Sequence, residues 1–319
     1  MNTKLKNIFV NPEFDYLRAG WRIGIFFLIT AACNTVITGP VVKLLKMIPG
    51  LPLEISGTFV FYMTTTLAVW LVLRFIDKRP FTSIGLSFNT GWGKQLVQGF
   101  LFGSGMMTAI FVIEYSTGMV AIQFRAIGIQ EGSVIFLTSI TLYTIVGYGE
   151  EFLFRGYMYQ AFVEGSSKLI ATLTISLLFA MAHSQNPNVS LFGLINVGLA
   201  GIWLSFAYLK TKALWLPIGL HISWNFFQGF VYSYPVSGTT SEREQIGTAI
   251  VNGPDWLTGG TFGPEGGALA TLMLVVGTLL MYKWNWVSSL PGAWSVEQWR
   301  EERKQQIALR ISEPAQIIQ

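Results

Sequence analysis

The chain has 319 residues, of which 51% are hydrophobic and only 12% charged, with a mean hydropathy of +0.49. A soluble domain carries roughly 25% charged residues, so this composition excludes a disordered chain and disfavours a single soluble core. A net charge of +4 with a pI near 9.1 is mild; it offers no basis for a nucleic-acid partner, and where the positive charges lie matters more than their sum.

Aromatics at 14% and 33 glycines suit an all-α, polytopic membrane protein in which small residues let helices approach closely. A transmembrane β-barrel is disfavoured because the apolar residues come in long runs rather than alternating. The single cysteine, Cys33, excludes a disulfide framework and a cysteine-based zinc cluster.

Residues 1–20 are mixed in character and no small-x-small site closes the apolar run that follows, so the first span reads as an uncleaved anchor. Thr30-Ala31-Ala32-Cys33 half resembles a lipoprotein cleavage site, but the position three before the cysteine is polar. Stretches free of Asp, Glu, Lys and Arg run from Arg22 to Lys43, Glu54 to Arg74, Lys94 to Glu114, Glu131 to Glu150, Lys168 to Lys210, Lys212 to Glu242 and Glu265 to Lys283. A span needs about 20 apolar residues, and the stretch after Lys168 holds two. Eight helices are expected, at about 21–42, 54–75, 95–115, 133–163, 168–184, 189–209, 214–233 and 266–283.

Eight spans put both termini on one side. If that side also holds the 76–94, 164–168 and 210–213 loops, the Lys and Arg left for the other side are Lys43, Lys46, Arg125 and Arg243. The positive-inside rule then makes both termini cytoplasmic. The expected organisation is a cytoplasmic segment 1–20, a transmembrane domain 21–284 with a core at about 133–233, and a cytoplasmic tail 285–319. The segment Tyr234–Gly267, rich in Gly, Thr and Pro, reads as an ordered lid or a plain loop. The stretch Val296–Arg310 reads as an interfacial helix, with Trp294 and Trp299 beside Arg300, Arg303 and Lys304, or as a solvated charged tail.

Ionisable side chains inside spans are costly, so each is a functional-site hypothesis. The fourth span holds Glu150-Glu151-Phe152-Leu153-Phe154-Arg155, the fifth ends Phe179-Ala180-Met181-Ala182-His183, and the seventh carries His221-Ile222-Ser223-Trp224-Asn225. Glu151 and Arg155 are i and i+4 in the orientation that favours a helical ion pair. Glu150 points about 100° away and can face another partner. A carboxylate beside another carboxylate suits a general base. His221 and Asn225, also i and i+4, project from one face as two donors aimed at one oxygen. Depth agrees: counted from the 164–168 turn, Glu150 and His183 both lie ~20–22 Å along their helices, and Asn225 lies ~18 Å and His221 ~12 Å above residue 213. Glu151–Arg155 alone also reads as a structural pair, and a lone intramembrane histidine as glue between helices. Asn34, Glu114, Arg125, Gln185, Asn186 and Asn196 read as caps or interfacial contacts. Pro217 fits the first turn of the seventh helix.

Glu-Glu-x-x-x-Arg, then Phe-x-x-x-His, then His-x-x-x-Asn on separate spans resembles the CAAX proteases and bacteriocin-processing enzymes, the CPBP group of intramembrane endopeptidases that includes the type II CAAX prenyl endopeptidases. The match runs from about Gly147 to Asn225, and Leu216-Pro217-Ile218-Gly219-Leu220-His221 is also similar. The stretch Thr258–Gly267 is similar to a segment of bacterial members and is given no chemical role. The resemblance implies Glu150 as catalytic glutamate, His183 as its partner at the water, His221 and Asn225 at the oxyanion, and Glu151 with Arg155 in support. Metal-free catalysis is expected. Were zinc present, Glu150, His183 and His221 would be its ligands, since the chain has no His-Glu-x-x-His. The implied partners are a peptide or membrane-protein substrate and the lipid bilayer, in a bacterial plasma membrane; the oligomeric state is left open. The competing functions are a proton-coupled transporter, since Glu and His also build relays, and a catalytically silent scaffold or immunity protein.

Overall fold

The computed structural model describes residues 3–13, 15–48, 52–241, 244–283, 285, 287–294 and 296–312. Arg243, and residues 313–319 of the expected tail, lie outside the described residues. Among the described residues, eight apolar helices form near the expected limits. They are α1 (Ala19–Leu45), α2 (Leu53–Asp77), α3 (Trp92–Ser116), α4 (Ile129–Gly165), α5 (Lys168–Ala182), α6 (Leu191–Thr211), α7 (Trp215–Phe226, continued by a π-helical stretch Phe227–Val231) and α8 (Ala268–Lys283). The protein is all-α and polytopic. By length and composition α1, α2, α3, α4 and α6 are long and apolar enough to cross a membrane. The other three are shorter: α5, with 15 residues, extends only ~22 Å against a hydrocarbon core of about 30 Å. Large apolar side chains such as Leu28, Val36, Leu101, Leu177 and Leu272 face outward, as lipid contact requires.

α7 lies at the centre. Every residue from Leu216 to Phe226 is buried, the pattern of a helix surrounded on all sides. Small residues permit this: a Cβ on Gly99 would fall 2.2 Å from Leu216 O, and one on Gly219 2.2 Å from Leu96 O, so α3 and α7 touch backbone to backbone. On its other side α7 meets α4, where a Cβ on Gly147 would lie 2.8 Å from Ile222 Cγ1.

At the end away from the termini, strand β1 (Val120–Phe124) pairs antiparallel with β2 (Gly247–Val251), from Val120 opposite Val251 to Phe124 opposite Gly247. The described residues of the segment 234–267 therefore form a cap, which its composition left open. It is fastened further: Ser139 Oγ donates to Glu244 O at 2.8 Å, Tyr143 OH to Glu244 Oε2 at 3.4 Å, and Tyr234 OH to Glu114 Oε2 at 2.6 Å. Glu114, expected as a cap or interfacial contact, is instead fully buried beneath this segment.

At the opposite end sits an ionic quartet that the sequence did not reveal. Arg22 of α1 bonds Asp77 of α2 at 3.0 Å and also Glu164 of α4; Arg79 reaches Asp77 at 3.1 Å and Glu164 at 2.8 Å. All four side chains are sealed from solvent. The terminal segments close over it: Tyr16 OH donates to Glu164 Oε2 at 2.8 Å, the Arg79 guanidinium lies 4.7 Å from the Trp294 ring centre, and Tyr16 meets Trp299 edge-on at 4.8 Å. Lys304 pairs with Glu13 at 2.7 Å, so both termini lie at one end, as expected. The C-terminal helix, Val296–Ser312, spends Trp299 on the protein rather than on lipid.

Two predictions follow from this packing. Removing one partner of a buried ion pair leaves an uncompensated charge and costs about 3–5 kcal/mol, so Arg22→Leu should strongly lower the thermal midpoint of the detergent-solubilised protein; an unchanged midpoint would show that the quartet is idle. Burial pushes the Glu244 carboxyl from 4.5 up to about 7. Protonated Glu244 therefore stabilises the fold, fully below pH about 4.5 and no longer once pH has risen through about 7. In paired melts between about pH 5 and about pH 8, Glu244→Gln should lose less stability than the parent as pH rises, and parallel curves would refute it.

Candidate active site

Three helices deliver Glu150, His183, His221 and Asn225 to one cavity of about 440 Å³. On α4, the pair Glu150-Glu151 lies just before a π-helical stretch, Phe152–Met158, a local widening of the kind that collects at functional sites. The two carboxylates diverge. Glu151 is fully buried, and its Oε1 accepts from Arg155 Nη1 at 2.9 Å and from His221 Nδ1 at 2.8 Å. Arg155 is equally buried; it donates to Gly201 O of α6 at 3.2 Å and lies 4.6 Å from the Phe179 ring centre. Glu151–Arg155 is thus an ion pair that also holds an imidazole.

Glu150 faces the cavity. Its Oε2 stands 4.0 Å from His183 Nε2 and 3.7 Å from His221 Nε2, and has no hydrogen-bond partner among the described residues. Its Oε1 accepts from Tyr62 OH at 3.5 Å. His183 terminates α5, and its Nδ1 meets Phe179 O at 2.8 Å. A carbonyl oxygen only accepts, so Nδ1 carries the proton and the Nε2 lone pair faces Glu150. The same reasoning at His221 makes Nδ1–H the donor to Glu151, and Nε2 then carries a proton only when the ring is the imidazolium. Asn225, one turn along α7, is only 7% exposed, lines the cavity and has no hydrogen-bond partner among the described residues.

All six expected residues therefore meet in one place, with one change of partnership. His221 was paired with Asn225 as a twin donor; its Nδ1 is committed to Glu151, and only Nε2 faces the cavity.

Four further residues that line the cavity, Tyr62, Glu265, Asn196 and Asn186, were given no part in it by the sequence. Tyr62 of α2 leans on α4, where a Cβ on Gly149 would lie 2.2 Å from its ring. Glu265, within the glycine-rich stretch that was given no role, lines the cavity; its Oε2 accepts from Ser237 N at 2.9 Å and Ser237 Oγ at 2.8 Å. Burial pushes its carboxyl above the ordinary range, opposed by the Ser237 bonds and by both imidazoles. Asn196, expected as a cap or interfacial contact, is buried on α6, where its Nδ2 donates to Glu265 O and Gly267 O, each at 2.8 Å. Asn186 lines the cavity too and bonds Ser237 O at 3.1 Å. Asn34 and Arg125 behave as expected, bonding within their own helix turn and to Glu131.

Imidazoles pinned at Nδ1 with Nε2 presented are also the form that metal ligands take. Among the described residues, however, no group of three or more His, Cys, Asp or Glu side chains is disposed to hold a metal ion.

Comparison with known proteins finds likeness over the same stretch of chain. Residues 132–227 match the family described as type II CAAX prenyl endopeptidase Rce1-like. The protein YyaK of Bacillus subtilis is 27% identical over 174 residues, covering 53% of this chain and 58% of YyaK. The B. subtilis protein named "putative membrane peptidase YdiL" is 25% identical over 202 residues, covering 60% of this chain and 78% of YdiL. A 24.3 kDa protein of Escherichia coli is 36% identical over 90 residues, 28% of this chain and 41% of that one. The chain thus spans little more than half of YyaK and less than half of the E. coli protein. No solved structure matches. The chain thus carries helices long and apolar enough to cross a membrane, and its stretch 132–227, which holds Glu150, Glu151, Arg155, His183, His221 and Asn225, is similar to the Rce1-like type II CAAX prenyl endopeptidases.

Proposed function

We propose that this protein is an intramembrane endopeptidase that hydrolyses peptide bonds with a water activated by Glu150. The observation that carries this reading is the approach of Glu150 Oε2 to the Nε2 atoms of His183 and His221, at 4.0 and 3.7 Å, from two other helices. A separation of 4.0 Å is too long for a direct hydrogen bond and within reach of one shared water. That water donates one hydrogen to Glu150 Oε2 and the other to His183 Nε2, which turns an oxygen lone pair towards the scissile carbonyl.

Glu150 takes the first proton as the new C–O bond forms and the carbonyl pair moves onto oxygen. The Asn225 amide and, in its imidazolium form, His221 Nε2–H donate to that oxyanion. Glu151 holds His221 through Nδ1 and is itself balanced by Arg155. On collapse the carbonyl re-forms, the C–N bond breaks, and the proton on Glu150 passes to the leaving amine. The substrate is a peptide or membrane-protein segment, the setting is a bacterial plasma membrane with both termini cytoplasmic, and no metal is required.

Cleavage of a quenched peptide by the purified chain tests this. Glu150→Gln and His183→Ala should abolish turnover while melting like the parent protein; full activity in either removes the assignment. Asn225→Ala should lower kcat by about 10²–10³, the usual loss of one oxyanion donor, with KM nearly unchanged. Active protein should contain no stoichiometric zinc and should keep its rate in EDTA or phenanthroline.

A further inference from the structure

The cavity is lined by four carboxylates, Glu54, Glu150, Glu244 and Glu265, and among the described residues no Lys or Arg lines it. Glu150 is occupied by the chemistry proposed above and Glu265 by Ser237. Glu54 and Glu244 are not needed for either. Glu54 is exposed at the start of α2, the end of that helix opposite Asp77 and the ionic quartet, and so marks the cavity mouth away from the termini. Glu244 is 92% buried by its 8% exposure, held through Ser139 and Tyr143, and lies within electrostatic reach of Glu54. Two carboxylates that line one cavity with no Lys or Arg among its described lining repel, and a cation placed there relieves both.

A second observation points to a ligand in the same space. The Asn225 amide, more than nine-tenths buried and without a hydrogen-bond partner among the described residues, lines this same cavity. A bound chain that reaches Asn225 through the mouth must pass Glu54 and Glu244. Carboxylates on that route favour a positive side chain and disfavour a negative one.

We propose that Glu54 and Glu244 form a cation subsite at the mouth of the cavity, so that the substrates are peptides with a Lys or Arg flanking the scissile bond, taken from the side of the membrane opposite the termini. The inference rests on the hydrolytic reading above. It adds the substrate's charge and its side of approach.

The test uses the full-length chain in detergent with three peptides, Leu-Ala-Val-X-Leu-Ala-Val, in which X is Lys, Gln or Glu. Binding is read by anisotropy of the fluorescein-labelled peptides on the Glu150→Gln variant, and cleavage by quenched versions on the parent. Binding should fall in the order Lys, Gln, Glu, by about tenfold between the first and last, and kcat/KM should follow. In Glu54→Gln, an exposed change that leaves the core alone, and in Glu244→Gln, the ratio of Lys to Glu peptide should shrink towards one. Equal binding of the three peptides, or ratios untouched by both substitutions, overturns the subsite. Preferential binding of the Lys peptide with none of the three cleaved by the parent leaves the subsite standing and removes the hydrolytic reading instead.

Discussion

The site depends on one carboxylate oxygen, Glu151 Oε1, which accepts from both Arg155 and His221 inside a fully buried pocket. A carboxylate at that depth is tolerable only if its charge is met and its lone pairs are used. Arg155 supplies the countercharge, and its own remaining donors go to Gly201 O and to the face of Phe179. The second bond at Oε1 goes to an imidazole, which fixes the tautomer and the angle of the ring. His221 Nε2 therefore arrives near Glu150 with no freedom to turn away. Two adjacent glutamates of identical chemistry thus have different environments: one is a buried anchor, the other faces the cavity with a free oxygen.

This arrangement requires a polar helix at the centre of the bundle, and lipid provides no hydrophobic force to push it there. Close packing replaces that force. Gly99 and Gly219 bring α3 and α7 into backbone contact, Gly147 admits Ile222, and Gly149 lets the Tyr62 ring lie across α4. Each is a place where a methyl group would collide with a neighbour at under 3 Å. The glycines noted in the composition thus have a definite purpose at these positions: they let α7 be buried on every side, so that His221 and Asn225 face a cavity and not acyl chains.

What could be seen in the sequence, and what could not, divides along physical lines. The helix limits were visible because a charge in hydrocarbon is expensive, so gaps between charges measure membrane thickness directly. Glu150, His183, His221 and Asn225 were visible because helical rise and i, i+4 spacing are local geometry. The quartet of Arg22, Asp77, Arg79 and Glu164 was hidden, since each residue sits at a span edge where charge is ordinary and its partners are remote in sequence. Glu265 was hidden for another reason: its position follows from the path of a glycine-rich segment tied down by Asn196 and Ser237. A signal existed. Gly259 and Gly263 adopt φ of +83° and +100°, and so dense a run of glycine around a single acid, immediately before an apolar span, marks a chain bent to deliver that acid somewhere. Asn196 likewise stood as the polar break in an otherwise apolar run.

The asymmetry of charge along the chain is matched by an asymmetry between the two ends of the bundle. A helical bundle whose cations are held at one end has few to offer at the other, and here that scarcity coincides with the mouth marked by Glu54. At the terminal end, carboxylates are answered: Asp77 and Glu164 each meet two arginines. At the opposite end, Glu54 and Glu244 have no such answer among the described residues lining the cavity, and burial, with the charge of Glu54 added, drives Glu244 towards its neutral form. A carboxyl poised near neutrality responds to its guest, because an arriving ammonium or guanidinium lowers its pKa and draws the proton off. The same distribution that sets the topology would then bias which peptides reach Glu150, with no need for a separate recognition domain.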